Sequence, residues 1–305
     1  MTRVAAIDCG TNSIRLLVAD VDGETLTDVV RRMEIVRLGQ GVDRTGRLAP
    51  ESIERTRIAL VMYAAELHEL GAERVRMVAT SASRDASNAA DFRAMVLATL
   101  GVEPDVITGD EEARLSFIGA VRGLVGAQPP YLVADIGGGS TELVLGSATV
   151  DAARSVDVGC VRMTERHLHD DPPTAEQIAA AEKDIVEAIT LARETVPVER
   201  ARTFVGLAGS VTTVAALALS LPEYDSAAIH HSRISYDQVA TVTTSLLAAT
   251  RAERAALPVM HPGRVDVIGA GGLVLRVLME QVGADEVVAS EHDILDGIAW
   301  SLLPR

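Results

Sequence analysis

Apolar positions along this chain fall either into short runs of strand length or into longer stretches with one apolar face. Runs at Arg3–Cys9, Ile14–Asp20 and Thr25–Val36 predict three strands, with Asp22-Gly23 as a hairpin turn. Pro50 opens a helix whose Ile53, Leu60, Ala64, Leu67 and Leu70 lie near one face, and Gly71 closes it. A strand at Arg74–Thr80, a helix at Asp91–Leu100 and a strand at Pro104–Thr108 follow. The second half repeats the order. Strands at Tyr131–Ile136, Thr141–Leu145 and Val150–Asp157 precede a helix with Thr174 and Gln177 as a capping box and Ile178, Ile185, Ile189 and Ala192 along one side. Thr203–Leu207 is the next strand. Three strands, then alternating helices and strands, used twice, predict two mixed α/β halves. Gly123, Gly126, Pro129 and Pro130 mark the join, giving domains at 1–125 and 126–305.

The repetition extends to the loops. Asp8-Cys9-Gly10-Thr11-Asn12-Ser13 and Asp135-Ile136-Gly137-Gly138-Gly139-Ser140 each follow a strand, 127 residues apart (135 − 8). The same offset carries Ser83 onto Ser210 (210 − 83). Such recurrence predicts a duplicated fold around a shared cleft. Gly10, Gly137, Gly138 and Gly139 let the backbone approach an anion without a Cβ in the way, and Asn12, Ser13, Ser140 and Thr141 add donors. Asp8 and Asp135 are poor phosphate contacts alone. They make sense if Mg²⁺ (or Mn²⁺) bridges them to phosphate.

Composition narrows the partners. Hydrophobic residues make up 48% of the 305 residues, enough for two cores, while aromatics are only 3% and offer few stacking platforms for nucleic acid. A net charge of −15 argues against a duplex-binding groove. Only Lys183 is a lysine among 28 basic residues, so phosphate contacts fall to arginines, backbone amides and metal. Cys9 and Cys160 lack metal spacing and read as buried thiols of a reduced, cytoplasmic chain. With no apolar run near ~20 residues, neither a membrane span nor a signal peptide is expected.

Two groups carry a choice that composition leaves open. Glu111 and Glu112 are either the acidic first turn of a helix at Ala113–Val121 or include a carboxylate that deprotonates water. Arg84 is either a surface partner of Asp85 or a guanidinium over a transferring phosphoryl group. His230-His231 reads as a solvent-exposed pair, since adjacent side chains do not share a face, or else as a phosphate-chain contact. Arg162, Arg166 and Arg264 read as ordinary charges or as the exit path of a polyanion.

Ile7–Ser13, Thr80–Ala86, Thr108–Arg114 and Asp135–Glu142, continuing through Gly206–Thr212, Arg264–Ile268 and Ser290–Gly297, resemble in order the motifs of the exopolyphosphatase/guanosine pentaphosphate phosphohydrolase family. The resemblance covers the whole chain and implies two actin-like (ribonuclease H-like) α/β domains with mixed sheets flanked by helices. It implies that Glu112 is the catalytic base and Arg84 the phosphate-contacting arginine. Asp135 and Glu142 match acidic positions tied to the metal, Gly137–Ser140 the main phosphate loop, and Gly209 and Ser210 the loop of the second domain. Leu295-Asp296-Gly297 departs from the Arg-Glu-Gly-like sequence of many members. The implied activity is release of terminal phosphate from inorganic polyphosphate, or from guanosine pentaphosphate, by a homodimer of the short form. A non-catalytic polyphosphate or alarmone sensor is the alternative of another class.

Overall fold

The computed structural model describes residues 2–23, 25–124 and 126–303; Val125, in the expected join, and the last two residues lie outside them. Contacts divide the chain into two units, Met1–Gly119 with Ile294–Arg305, and Ala120–Asp293. The last helix, expected with the second domain, thus lies in the first unit.

In the first unit, strands β1 (Thr2–Cys9), β2 (Ser13–Asp22), β3 (Thr25–Ile35), β4 (Arg74–Ala79) and β5 (Asp105–Val106) form one sheet in the order β3-β2-β1-β4-β5. The first three are antiparallel, and β4 and β5 run parallel to β1. The central strand is buried on both faces, so its apolar run is nearly continuous. Ala5, Ile7 and Cys9 pack under helices 50–70 and 89–100, with Leu60, Tyr63, Phe92 and Val96. Val4 and Ala6 point the other way, onto Ile294, Leu295, Ile298 and Ala299 of the C-terminal helix. Burying each large aliphatic there contributes about 1.5–3 kcal/mol, which explains why that helix belongs with β1. Gly297 lets it approach closely: a Cβ there would sit 2.0 Å from the Leu115 carbonyl oxygen. Asp296 accepts two N–H bonds from Arg31 on β3, at 2.6 and 3.2 Å. The residues that depart from the family pattern therefore have structural partners. The helix from Pro50 ends as expected, with Gly71 at φ 65° donating to the last carbonyls.

In the second unit, β6 (Tyr131–Ile136), β7 (Thr141–Gly146), β8 (Val150–Val156), β9 (Thr203–Leu207), β10 (Arg233–Ser235) and β11 (Glu286–Ala289) form a sheet in the order β10-β11-β9-β6-β7-β8. Its β8-β7-β6-β9 run repeats β3-β2-β1-β4 with the same strand directions. The Thr174 and Gln177 capping box forms, opening helix 175–193. Ile185, Ile189 and Ala192 of that helix are buried, and Lys183 stands on its outer side with its side chain 78% exposed. Both cysteines are buried and free, and burial raises both thiol pKa values.

Candidate active site

Three parallel strands of the first unit end side by side, and each is followed by a predicted site segment. Register pairs Cys9 with Ala79 and Ala79 with Val106. This brings 10–13, 80–84 and 107–112 together at one edge of the sheet. The 10–13 turn closes with a Gly10 N–H bond to the Ser13 carbonyl at 3.0 Å. A second segment straps it, with Val36 and Arg37 donating to the Asn12 carbonyl and Gly39 to that of Thr11. Gly39 is required: a Cβ would fall 2.3 Å from Thr11 Cγ2. Thr11 Oγ1 and Ser81 Oγ lie 2.9 Å apart, tying the first loop to the second.

The residues behind the two open choices meet in the structure. Arg84 Nη1 donates to Glu112 Oε2 at 3.1 Å and to the Ile107 carbonyl at 3.1 Å, whereas its nearest approach to Asp85 is 4.0 Å. Glu112 is buried, while the neighbouring Glu111 turns outward to Arg76 at 3.3 Å. The helix starts at Gly109, earlier than the pattern predicted, so both glutamates are in its first turn and only one faces Arg84. Ser83 Oγ, next to Arg84, is buried without a hydrogen-bond partner. Asp8 lies directly across the β1–β2 ladder from Arg15, which donates to its Oδ2 at 2.7 and 3.1 Å. That arginine was not anticipated; only the register reveals it.

The second unit gathers its own set. Gly137 N–H bonds to the Ser140 carbonyl at 3.0 Å, and Thr141 Oγ1 donates to the Val158 carbonyl at 2.6 Å. The loop carbonyls are taken up from behind: Gly137 by Cys160 N–H, Gly138 by Val161 and Arg162 N–H, and Gly139 by Arg162 Nε at 2.7 Å. A Cβ at Gly159 would meet the Gly138 carbonyl oxygen at 2.5 Å. Arg162 is therefore a brace for the loop. Arg166 instead pairs with Asp184 at 2.7 Å.

Asp135 and Glu142 face each other across β6 and β7, both buried, with Ser155 Oγ donating to Glu142 Oε1 at 2.6 Å. Gly209 and Ser210 follow β9, which pairs with β6 up to Asp135–Leu207. They belong to the first turn of helix 208–218, entered through Ala208 at φ 67°. Arg264 lies over Gly209, where a Cβ would be 2.3 Å from its Nη2, and donates to Thr213 Oγ1 at 3.1 Å. It is thus part of this loop's surroundings.

The histidine expectation is overturned. His230 and His231 stack with ring centroids 3.7 Å apart, and His292 lies 4.4 Å from His230. Adjacent side chains share a face here because His231 adopts φ 63°, reversing the chain.

Two sheets of one strand order, each with a loop of small residues at the same strand end, make this a duplicated fold of the actin-like type. The chain belongs to the Ppx/GppA phosphatase family, whose profile matches residues 17–305. It is 56% identical to Exopolyphosphatase 2 of Mycobacterium tuberculosis, over 99% of each chain. Among solved structures it resembles an exopolyphosphatase-like protein at 43% identity and TM-score 0.96, covering 98% of this chain and 97% of that one. It also resembles the Aquifex aeolicus PPX-GPPA enzyme at 31% identity and TM-score 0.82, covering 98% and 99%.

Proposed function

We propose that this protein is an exopolyphosphatase that releases orthophosphate from the end of inorganic polyphosphate. The observation that carries the reading is the pairing of buried Glu112 with Arg84 at 3.1 Å, at the strand ends of a Ppx/GppA chain. In this reading water attacks the terminal phosphorus as the bond to the bridging oxygen breaks. Glu112 takes the water's proton, and the shortened chain leaves as an anion. Arg84 exchanges its bond to Glu112 for the equatorial phosphate oxygens, and this frees the carboxylate to act. Backbone N–H groups of the turns closed by Gly10 and Gly137, at 11–13 and 138–140, with Gly209 and Ser210, hold phosphate groups.

Asp135 and Glu142 suit a hard divalent cation such as Mg²⁺, since two buried carboxylates face each other directly. When bound, that ion would neutralise phosphate charge. Asp8 is less suited, because Arg15 already compensates it. The same reading takes the enzyme to be a cytoplasmic homodimer, which light scattering on the purified chain tests for its oligomeric part.

Phosphate release from tripolyphosphate, long-chain polyphosphate, guanosine pentaphosphate and ATP, with and without Mg²⁺, tests the proposal. Turnover of long polyphosphate above the nucleotides is expected. Preference for guanosine pentaphosphate would move the chain to the other branch of its family, and binding without release would make it a sensor.

A further inference from the structure

Three imidazoles meet where β9 and β11 end. Ser290 N–H bonds to the Gly206 carbonyl, His231 N–H to that of Ala289, and Ala289 N–H to that of Ser232. These bonds hold the 230–232 and 289–292 segments beside the strand that leads into Ala208–Ser210. A chain of bonds joins the two places. Tyr224 Oη donates at 2.6 Å to Glu291 Oε1 and lies 2.7 Å from Thr212 Oγ1, on the helix that starts at Ala208. Glu291 N–H in turn bonds to His230 Nδ1 at 3.2 Å. Acceptance at Nδ1 makes Nε2 the donor nitrogen of neutral His230, and proton uptake at Nδ1 would end the bond from Glu291. Two left-handed residues that are not glycine, Ala208 and His231, thus flank one short stretch of sheet edge. Strain of that kind persists where the surroundings fix it, and it clusters at ligand sites. Each of these imidazoles can take up a proton, and neighbouring imidazolium groups attract an anion.

We propose that His230, His231 and His292 form a proton-gated phosphate subsite beside the Ala208–Ser210 turn, which binds one phosphate group of an oligophosphate when the imidazoles are protonated. The proposal rests on reading that turn as a phosphate loop. Half-burial and the neighbouring His292 lower the pKa of His231, so that ring loses its charge more readily when no anion is present. Two imidazolium rings at stacking distance repel each other, and a phosphate that accepts hydrogen bonds from both at their edges offsets that cost, so proton uptake and anion binding are coupled. Raising the imidazole pKa on binding makes affinity grow as pH falls. The charged and titratable groups on the surrounding segments are Glu291 and Asp293, Tyr224 and Asp225, Arg233 on β10, and Arg264 beyond Tyr224. Asp225 caps helix 226–229, Arg233 pairs with Glu286, and burial beside the Glu291 carboxylate pushes Tyr224 up to about 12. Tyr224 therefore stays protonated over the range in which the imidazoles change charge.

Titration of the whole protein with tripolyphosphate at two pH values, about 6 and about 8, tests this by calorimetry and by NMR of the imidazole C–H groups. The expected result is affinity at least about fivefold tighter at the lower pH, with proton uptake and movement of histidine signals. His231→Asn tolerates the left-handed backbone, and His292→Gln keeps a polar side chain; each is expected to reduce that pH ratio below about twofold. The same ratio in wild type and in both variants, or histidine signals that tripolyphosphate leaves unmoved, would overturn the subsite. Failure to release phosphate from polyphosphate would instead remove the proposed activity and leave this binding result to stand by itself.

Discussion

The first and second units use one loop with opposite electrostatic partners. The turn bond is the same in both, Gly10 N–H to Ser13 and Gly137 N–H to Ser140, each at 3.0 Å. Asp8 and Asp135 occupy equivalent places before it. Across the hairpin, however, Asp8 faces Arg15 and Asp135 faces Glu142, again 127 residues on (142 − 15). In one unit the aspartate pairs with an arginine across the hairpin. In the other the residue across the hairpin is a second buried carboxylate, and the proposed cation rests on that difference. The Arg–Glu pair belongs to the first unit alone: position 84 becomes Val211 at the same offset. The duplicated backbone thus repeats one turn, and the hairpin register gives the aspartate before it a different neighbour in each unit.

Four substitution experiments test this division of labour. The largest effect is expected at Glu112: Glu112→Gln should lower kcat by about 10²–10⁴-fold with the fold intact, the range for loss of a general base. Glu111→Gln should change it less than about threefold, because Glu111 is a half-buried partner of Arg76 that turns away from Arg84. Steady-state phosphate release on both variants decides which carboxylate is the base. Next, Glu142→Gln should raise the Mg²⁺ concentration for half-maximal rate by about tenfold or more, as second-unit ligation requires. Asp8→Asn should leave that concentration nearly unmoved, and a metal titration that ranks them the other way would reverse the assignment of the two loops.

Asp8→Asn should still cost about 1–3 kcal/mol of stability, since it weakens the charged bonds to partly buried Arg15; urea denaturation measures it. The smallest effect concerns Asp184 in the second unit. Burial there raises its pKa, but bonds from His167 and Arg166 outweigh this and leave it lowered. A lowered folded pKa means stability that is present above the unfolded value near 3.9 and is lost as pH falls through the folded one. The Tm gap between wild type and Asp184→Asn should therefore close as the pH drops below about 4.

Much of this was legible in the sequence where the signal is local. Glycines after a strand, Pro50 and Gly71 at the ends of one helix, and Thr174 with Gln177 each act within a few residues, and each appears where expected. Features decided by distant partners were not legible. Arg15 acquires meaning only once the hairpin register sets it opposite Asp8, whereas Glu142 was already marked by the family resemblance. Tyr63, absent from the predicted apolar face, is buried because its hydroxyl reaches the Ile14 carbonyl at 3.1 Å. The last helix returns to the first unit because β1 has a second apolar face at Val4 and Ala6 that alternation alone does not assign to a partner. His231 escaped because a left-handed histidine leaves no mark in composition.

The solitary lysine has a practical consequence. Lys183 stands on an outer helix face with a weak partner, Glu187, at 3.8 Å, well apart in sequence from the loops at 137–141 and 208–210. Every other cationic side chain but histidine is a guanidinium, which amine-directed reagents do not modify. Acylation at alkaline pH should therefore attach one dye or one affinity tag to the body of the folded protein, with the terminal amine as the second amine target. Immobilised through that point, the enzyme would retain its arginine contacts unaltered, and protein acetylation would have this one side chain on which to act.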